Sequence, residues 1–245
     1  MAGVALVTGG ARGIGAATAV LLAERGWDVA VGYRAEAEAA EEVADRCRRA
    51  GCRAITVAGD VGLQDDVIGM FALVDDHLGP LNAMVNSAGV VDHKATVADF
   101  DVTRLQRMFT VNTVGAFLCA GEAVRRMTAS GGGSIVLLSS AASRQGGANR
   151  YVDYAASKGA VDVLTRGLAL EVAGAGIRVN AVRPGIIDTE IHAAAGDANR
   201  AAEAGPTIPL GRVGRPQEVA ESIVWLCSDA SSYVTGAILD VAGGR

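Results

Sequence analysis

The sequence predicts an α/β fold: a single domain built on a doubly wound parallel sheet of about seven strands, with helices on both faces. Three observations predict it. Short apolar runs alternate with helix-length segments along the whole chain. The first of these runs leads directly into a glycine-rich stretch, TGGARGIG, at residues 8–15. Aromatic residues make up only 4% of the chain while 32 of its 245 residues are glycine, so the core has to be assembled from small and aliphatic side chains at short backbone distances.

The elements follow in order. Val4 to Val7 is a short apolar strand, and the helical stretch from about Ile14 to Arg25 ends at Gly26. Val29 to Val31 is the second strand. The segment EAEAAEEVADRCRRA is a helix with acid early and base late, as the macrodipole favours. Ile55 to Val57 is the third strand, and QDDVIGMFALVDDHLG is an amphipathic helix stopped by Gly79-Pro80. Ala83 to Val85 is the fourth strand. Helical periodicity then runs unbroken from Asp101 to Met127 until Gly131-Gly132-Gly133, and Ile135 to Leu138 is the fifth strand. A helix from Tyr154 to Val172, a strand from Ile177 to Val182, a helix opened by Pro216 and a last strand from Ala237 to Val241 complete the pattern. Right-handed crossovers wind such a chain onto both faces of one sheet. No linker, composition shift or internal repeat divides it. The one long irregular stretch reads as a substrate lid at about 188–214.

Composition excludes several functions. Lys and Arg number 22 against 27 Asp and Glu, a net charge of −5, with no basic patch for nucleic acid. No apolar run approaches the ~20 residues that span a bilayer, and no signal peptide is legible at the N-terminus. Cys47, Cys52, Cys119 and Cys227 show neither metal-binding nor disulfide-rich spacing. With His77, His93 and His192 scattered, the expectation is a soluble, cytoplasmic protein with no metal site.

Chemistry gathers in YVDYAASK, residues 151–158. Tyr154 and Lys158 stand four residues apart and share a helix face, whereas Tyr151 has Ala155 at that offset. A cation beside a phenol favours the phenolate and lowers its pKa, which suits a group that exchanges a proton near neutral pH.

The turn after the first strand is the second centre. Gly9, Gly13 and Gly15 let the backbone turn tightly and approach a pyrophosphate at the N-terminus of the following helix. Their spacing, G-x-x-x-G-x-G, departs from the usual dinucleotide fingerprint. At the end of the second strand, where an acidic residue would bind the ribose of NAD, stand Tyr33 and Arg34. Arg34, with Arg12 from the glycine turn, suits a 2′-phosphate, so NADP(H) is favoured over NAD(H).

Together these segments resemble the classical short-chain dehydrogenase/reductase family over nearly the whole chain. The resemblance is carried by TGGARGIG, Asp60-Val61, NSAG at 86–89, Asn112, Ser139-Ser140, Tyr154-x-x-x-Lys158, PGIIDT at 184–189 and the ending YVTGAILDVAGG. It implies a Rossmann-type fold and a hydride transfer between a nicotinamide and a carbonyl or secondary alcohol. It implies Tyr154 as general acid/base, Lys158 lowering its pKa and holding the nicotinamide ribose, Ser140 on the substrate oxygen and Asn112 in a proton relay to Lys158. Ser140 lies 14 residues before Tyr154, one more than the family pattern; the extra residue is expected as a bulge in RQGGANRYVD, and a bulge elsewhere would make Ser139 the candidate. The remaining cofactor contacts it implies are Ile14 in the glycine turn, Asp60 and Val61 at the adenine, Asn86, Ala88 and Gly89 near the adenosine ribose, and Pro184, Gly185, Ile187 and Thr189 at the carboxamide.

Substrate choice falls to the loops at 90–95, 143–151 and 190–212; the last carries Glu190, His192 and Asp197. A 3-oxoacyl carrier-protein reductase, a sugar dehydrogenase and a reductase of small ketones or quinones remain alternatives. The first is weakened by the absence of basic residues at 171–176. A non-catalytic dinucleotide sensor is the other class of function, although Ser, Tyr and Lys are all present. The resemblance also implies a homo-oligomer, a dimer or tetramer.

Overall fold

The computed structural model describes residues 3–190, 196–197 and 203–245. Seven strands form one parallel sheet: β1 Gly3–Thr8, β2 Trp27–Tyr33, β3 Ala54–Ala58, β4 Leu81–Asn86, β5 Gly133–Leu138, β6 Ile177–Pro184 and β7 Ile238–Val241. Their order is β3-β2-β1-β4-β5-β6-β7. The winding reverses between β1 and β4, where Val7 pairs with Val31 on one side and Val85 on the other.

Strands buried on both faces explain the unbroken apolar runs. Along β1, Leu6 joins one core cluster while Ala5 and Val7 join the other. The Leu6 side is covered by α3 (Gln64–His77), α5 (Gly115–Ser130) and α7 (Val152–Val172), through Phe71, Ala120 and Leu164 among others. The opposite side is covered by α1 (Gly13–Glu24), α2 (Ala37–Arg49) and α8 (Pro216–Cys227), through Leu22, Val43 and Ile223. Alanines and valines dominate both layers, as the scarcity of aromatics requires. Burial pushes the thiols of Cys119 and Cys227 up to about 12, so these cysteines are packing residues. No helix of the described residues is long and apolar enough to cross a membrane.

One expectation is corrected. The continuous helix from Asp101 to Met127 is broken into α4 (Val102–Phe109), a π-helical turn at Thr110–Val114 and α5. Asn112 lies inside that turn and is fully buried. Its amide accepts from Val90 N (2.8 Å) and donates to Val90 O (2.9 Å), which rewards the local change of pitch. The short α6 (Ala142–Gln145) and a turn with Gly146, Gly147 and Asn149 at positive φ form the connection between Ser140 and Tyr154. His192 lies outside the described residues, as do 191–195 and 198–202 of the expected lid.

Two glycines separate requirement from tolerance. A Cβ on Gly15 would collide with the Gly9 carbonyl, whereas Gly69 in α3 faces open space. Gly69→Ala is expected to stabilise the fold by about 1 kcal/mol. Gly15→Ala should destabilise it by more than the ~1–3 kcal/mol of ordinary overpacking. Urea unfolding of both variants checks the opposite signs.

Candidate active site

A cavity of about 440 Å³ opens at the carboxyl ends of the strands, across the point where the sheet order reverses. A larger groove of about 720 Å³ sits at the opposite end of the sheet, near Trp27, Asn82 and Arg178. The smaller one is the candidate site, because the glycine turn and the Tyr154 constellation both open into it.

Its first wall is the β1–α1 turn. Gly9 has φ +62° and a Cβ there would stand 2.8 Å from the Ala88 backbone; Gly13 has φ +55° against Thr189. The cradle therefore exists only with bare glycines. Gly15 sits behind them and lets α1 approach the Gly9 carbonyl, which a Cβ would strike. Gly13 and Ile14 in the first turn of α1 line the cavity, and this end of the helix has no side-chain cap and carries the positive end of the dipole. Bare backbone, free N–H groups and a positive dipole fit a pyrophosphate.

Beyond the turn, Tyr33, Arg34, Asp60 and Val61 line the wall. An acid stands there after all. Glu36 also lines the cavity and pairs with Arg12 at 2.6 Å, and Arg34 pairs with Asp60 at 3.6 Å. Glu36 lies past the strand end, where sequence spacing gave no reason to look for it.

The second wall carries the proton chemistry. Tyr154 and Lys158 project from α7, and Ser140 follows β5. The Ser140 hydroxyl hydrogen-bonds Tyr154 and also accepts from Ala142 N at 3.1 Å. Ser139 also borders the cavity, but its hydroxyl is engaged with the Lys158 carbonyl, to which it donates at 3.2 Å. Lys158 is 4% exposed, and its Nζ donates to the Leu138 carbonyl at 2.7 Å.

The expected electrostatics are corrected. Burial raises the Tyr154 phenol above its ordinary value, with the Ser140 hydrogen bond opposing. Burial also drives the Lys158 ammonium down from 10.5 to about 8, with Asp162 opposing. Lys158 Nζ is 5.9 Å from the centre of the Tyr154 ring and bonded to a carbonyl, so desolvation outweighs its pull on the phenol.

Asn112 and Asn86 lie behind the lining. Asn112 Nδ2 donates to Ser157 Oγ (3.0 Å), which donates to the Tyr154 carbonyl (2.8 Å). Asn86 accepts from the Thr8 hydroxyl at 2.9 Å and fixes the strand end. A Cβ on Gly89 would stand 3.4 Å from both Asn112 Oδ1 and Lys158 Nζ, so this glycine keeps a gap between them. Ile14, Ala88, Pro184, Gly185, Ile187 and Thr189 all line the cavity. Gln145 and Glu190, from two of the expected substrate loops, line it as well, as do Arg107 and Arg245, which nothing in the sequence marked.

Comparison with known proteins agrees with this geometry. A family model described as Enoyl-(Acyl carrier protein) reductase matches residues 9–245. The protein belongs to the short-chain dehydrogenase/reductase family of oxidoreductases. It is 50% identical over 245 residues to the uncharacterized oxidoreductase YgfF of Escherichia coli (strain K12), covering 99% of each chain. It is 45% identical to the cis-4-hydroxycyclohexanecarboxylate dehydrogenase of Sinomonas cyclohexanicum, covering 98% of this chain and 95% of that one. A crystal structure of a short-chain type dehydrogenase/reductase from Mycobacterium marinum superposes with TM-score 0.91 at 37% identity, covering 98% of this chain and 94% of that one.

The depressed Lys158 has a consequence for stability. Its folded pKa, about 8, lies below its ordinary 10.5, so the unfolded chain binds the extra proton between those values. Stability from this group therefore rises as pH climbs from 8 towards 10.5, by on the order of 3 kcal/mol. Lys158→Met should lack that rise. Chemical denaturation of both proteins at pH 7 and pH 10 measures it.

Proposed function

We propose that the protein interconverts a secondary alcohol and a carbonyl compound with a nicotinamide cofactor, NADP(H) favoured over NAD(H), and with Tyr154 as general acid/base. The observation that carries this reading is the enclosed Ser140–Tyr154 hydrogen bond with the Lys158 ammonium one helical turn on, facing the same cavity as the glycine cradle. When bound, the nicotinamide accepts or supplies the hydride. The chain's own residues do the rest. Ser140 holds the substrate oxygen by its hydroxyl. Tyr154, kept protonated by burial, gives its proton to that oxygen as negative charge grows there. Lys158, still cationic at neutral pH, steadies the phenolate left behind. Asn112 and Ser157 hold the Tyr154 backbone.

Arg12 and Arg34 support the phosphorylated nucleotide, and Glu36 opposes it. For the substrate, the hydroxyl that the Sinomonas relative's name places on a six-membered ring is a secondary alcohol of the kind this site suits. Docking of an acidic carrier protein is less well supported, because Arg107 in the cavity lining is already paired with Asp92. Exposed apolar residues on α5 and α7, Phe117 at 53% and Leu170 at 85%, support a dimer or tetramer. Four free cysteines fit the cytoplasm.

Tyr154→Phe should lower kcat by about 10²-fold or more with nucleotide affinity retained, read by NADPH and NADH absorbance against a panel of ketones and alcohols. Equal activity would remove the mechanism. Separately, Glu36→Gln should raise the NADPH:NADH ratio of kcat/KM, and Arg34→Ala should lower it, each by about tenfold.

A further inference from the structure

Behind the cavity wall, Arg104 of α4 and Asp153 of α7 form an enclosed ion pair. The Asp153 side chain is 0% exposed and that of Arg104 12%. Arg104 Nε donates to Asp153 Oδ2 at 2.7 Å and Nη2 to Oδ1 at 3.3 Å. Nη1 donates to the His93 carbonyl at 2.8 Å, and the guanidinium lies 4.3 Å from the Phe100 ring centre. The Arg104 backbone is itself fixed, its N–H donating to the Asp101 carboxylate at 2.7 Å.

The placement of this fork matters more than its strength. Asp153 precedes Tyr154 in the first turn of α7, whose N-cap residue, Tyr151, contributes no side-chain cap. The turn carrying the phenol is therefore held through Asp153. The third arm of Arg104 reaches the loop after β4, which lines the cavity at Val90 and Val91. The same loop is stitched to the approach to α7 by Ala95 N donating to Arg150 O at 3.1 Å. A buried ion pair adds little net stability relative to well-packed apolar residues. A two-bonded fork does fix both distance and rotation.

We infer that Arg104 and Asp153 are positioning residues: their fork sets where the Tyr154 hydroxyl stands relative to Ser140 and to the loop wall at Val90. This rests on Tyr154 being the acid/base. Misplacing a reacting group by about 1 Å costs about 10²-fold in rate.

Arg104→Lys keeps the charge and loses the fork. It should lower kcat about tenfold or more, with the nucleotide Kd from fluorescence titration unchanged and Tm nearly retained. Asp153→Asn should do the same, and the double variant should lose no more than either single one. In a Tyr154→Phe background, Arg104→Lys should cause no further loss, which a merely structural pair would not obey. An unchanged kcat per nucleotide-binding site, a further loss in the Tyr154→Phe background, or failure of both variants to fold would each overturn the inference. Should Tyr154→Phe itself stay fully active, the acid/base reading fails first. An inactive Tyr154→Phe beside an unaffected Arg104→Lys sinks the positioning role alone.

Discussion

A single ammonium, buried under the carboxyl edge of the sheet, constrains the rest of the site. Lys158 is 4% exposed and its Nζ is held by the Leu138 carbonyl at the end of β5. Burial makes that charge expensive, as the fall of its pKa to about 8 records. The fold compensates locally. The Leu138 carbonyl accepts from the ammonium, Asp162 one turn further along α7 favours its charge, and Gly89 leaves open the space beside Nζ that a Cβ would crowd. Each of these residues comes from a different element, so the site requires the sheet order, the helix register and the loop after β4 to be right together.

The π turn shows how the fold meets that requirement. A continuous helix from α4 into α5 would carry Asn112 on an ordinary turn. The wider turn instead lets its amide bond both polar groups of Val90 and reach Ser157. One side chain thereby links the loop that lines the cavity to the helix that carries Tyr154. Gly115 is needed alongside, since a Cβ there would lie 2.7 Å from Val61 Cγ2. A wider pitch in one turn thus sets the separation of two walls.

The sequence disclosed what depends on short-range periodicity. All seven strands fall where apolar runs alternate with helical ones; the inner strands, covered on both faces, cannot be polar. Tyr154 and Lys158 were visible because four residues make about one helical turn. What stayed hidden depends on residues far apart in the chain. The Arg12–Glu36 pair depends on how the loop after β2 bends back. Arg104 and Asp153 are 49 positions apart. The π turn leaves no mark on periodicity, since the apolar pattern continues through it. The direction of the Tyr154 shift is hidden for a related reason: spacing reveals a neighbouring charge but not how much water both groups lose.

The same distinction governs the nucleotide end of the cavity. Arg12 and Arg34 each have an acid to hand, which at first sight cancels their value for a 2′-phosphate. Both arginines are more than half exposed, at 57% and 60%, and exposed pairs are worth only about 0–1 kcal/mol. A phosphate ester carries more charge than a carboxylate and accepts several charge-assisted bonds, so it competes well for such arginines. Glu36 nevertheless stays nearby, repelling a phosphate and able to accept from a free ribose hydroxyl. The proposed preference for NADP(H) is therefore one of degree: two guanidiniums face two carboxylates, Glu36 and Asp60, and the balance rests on how readily those exposed pairs yield to a phosphate.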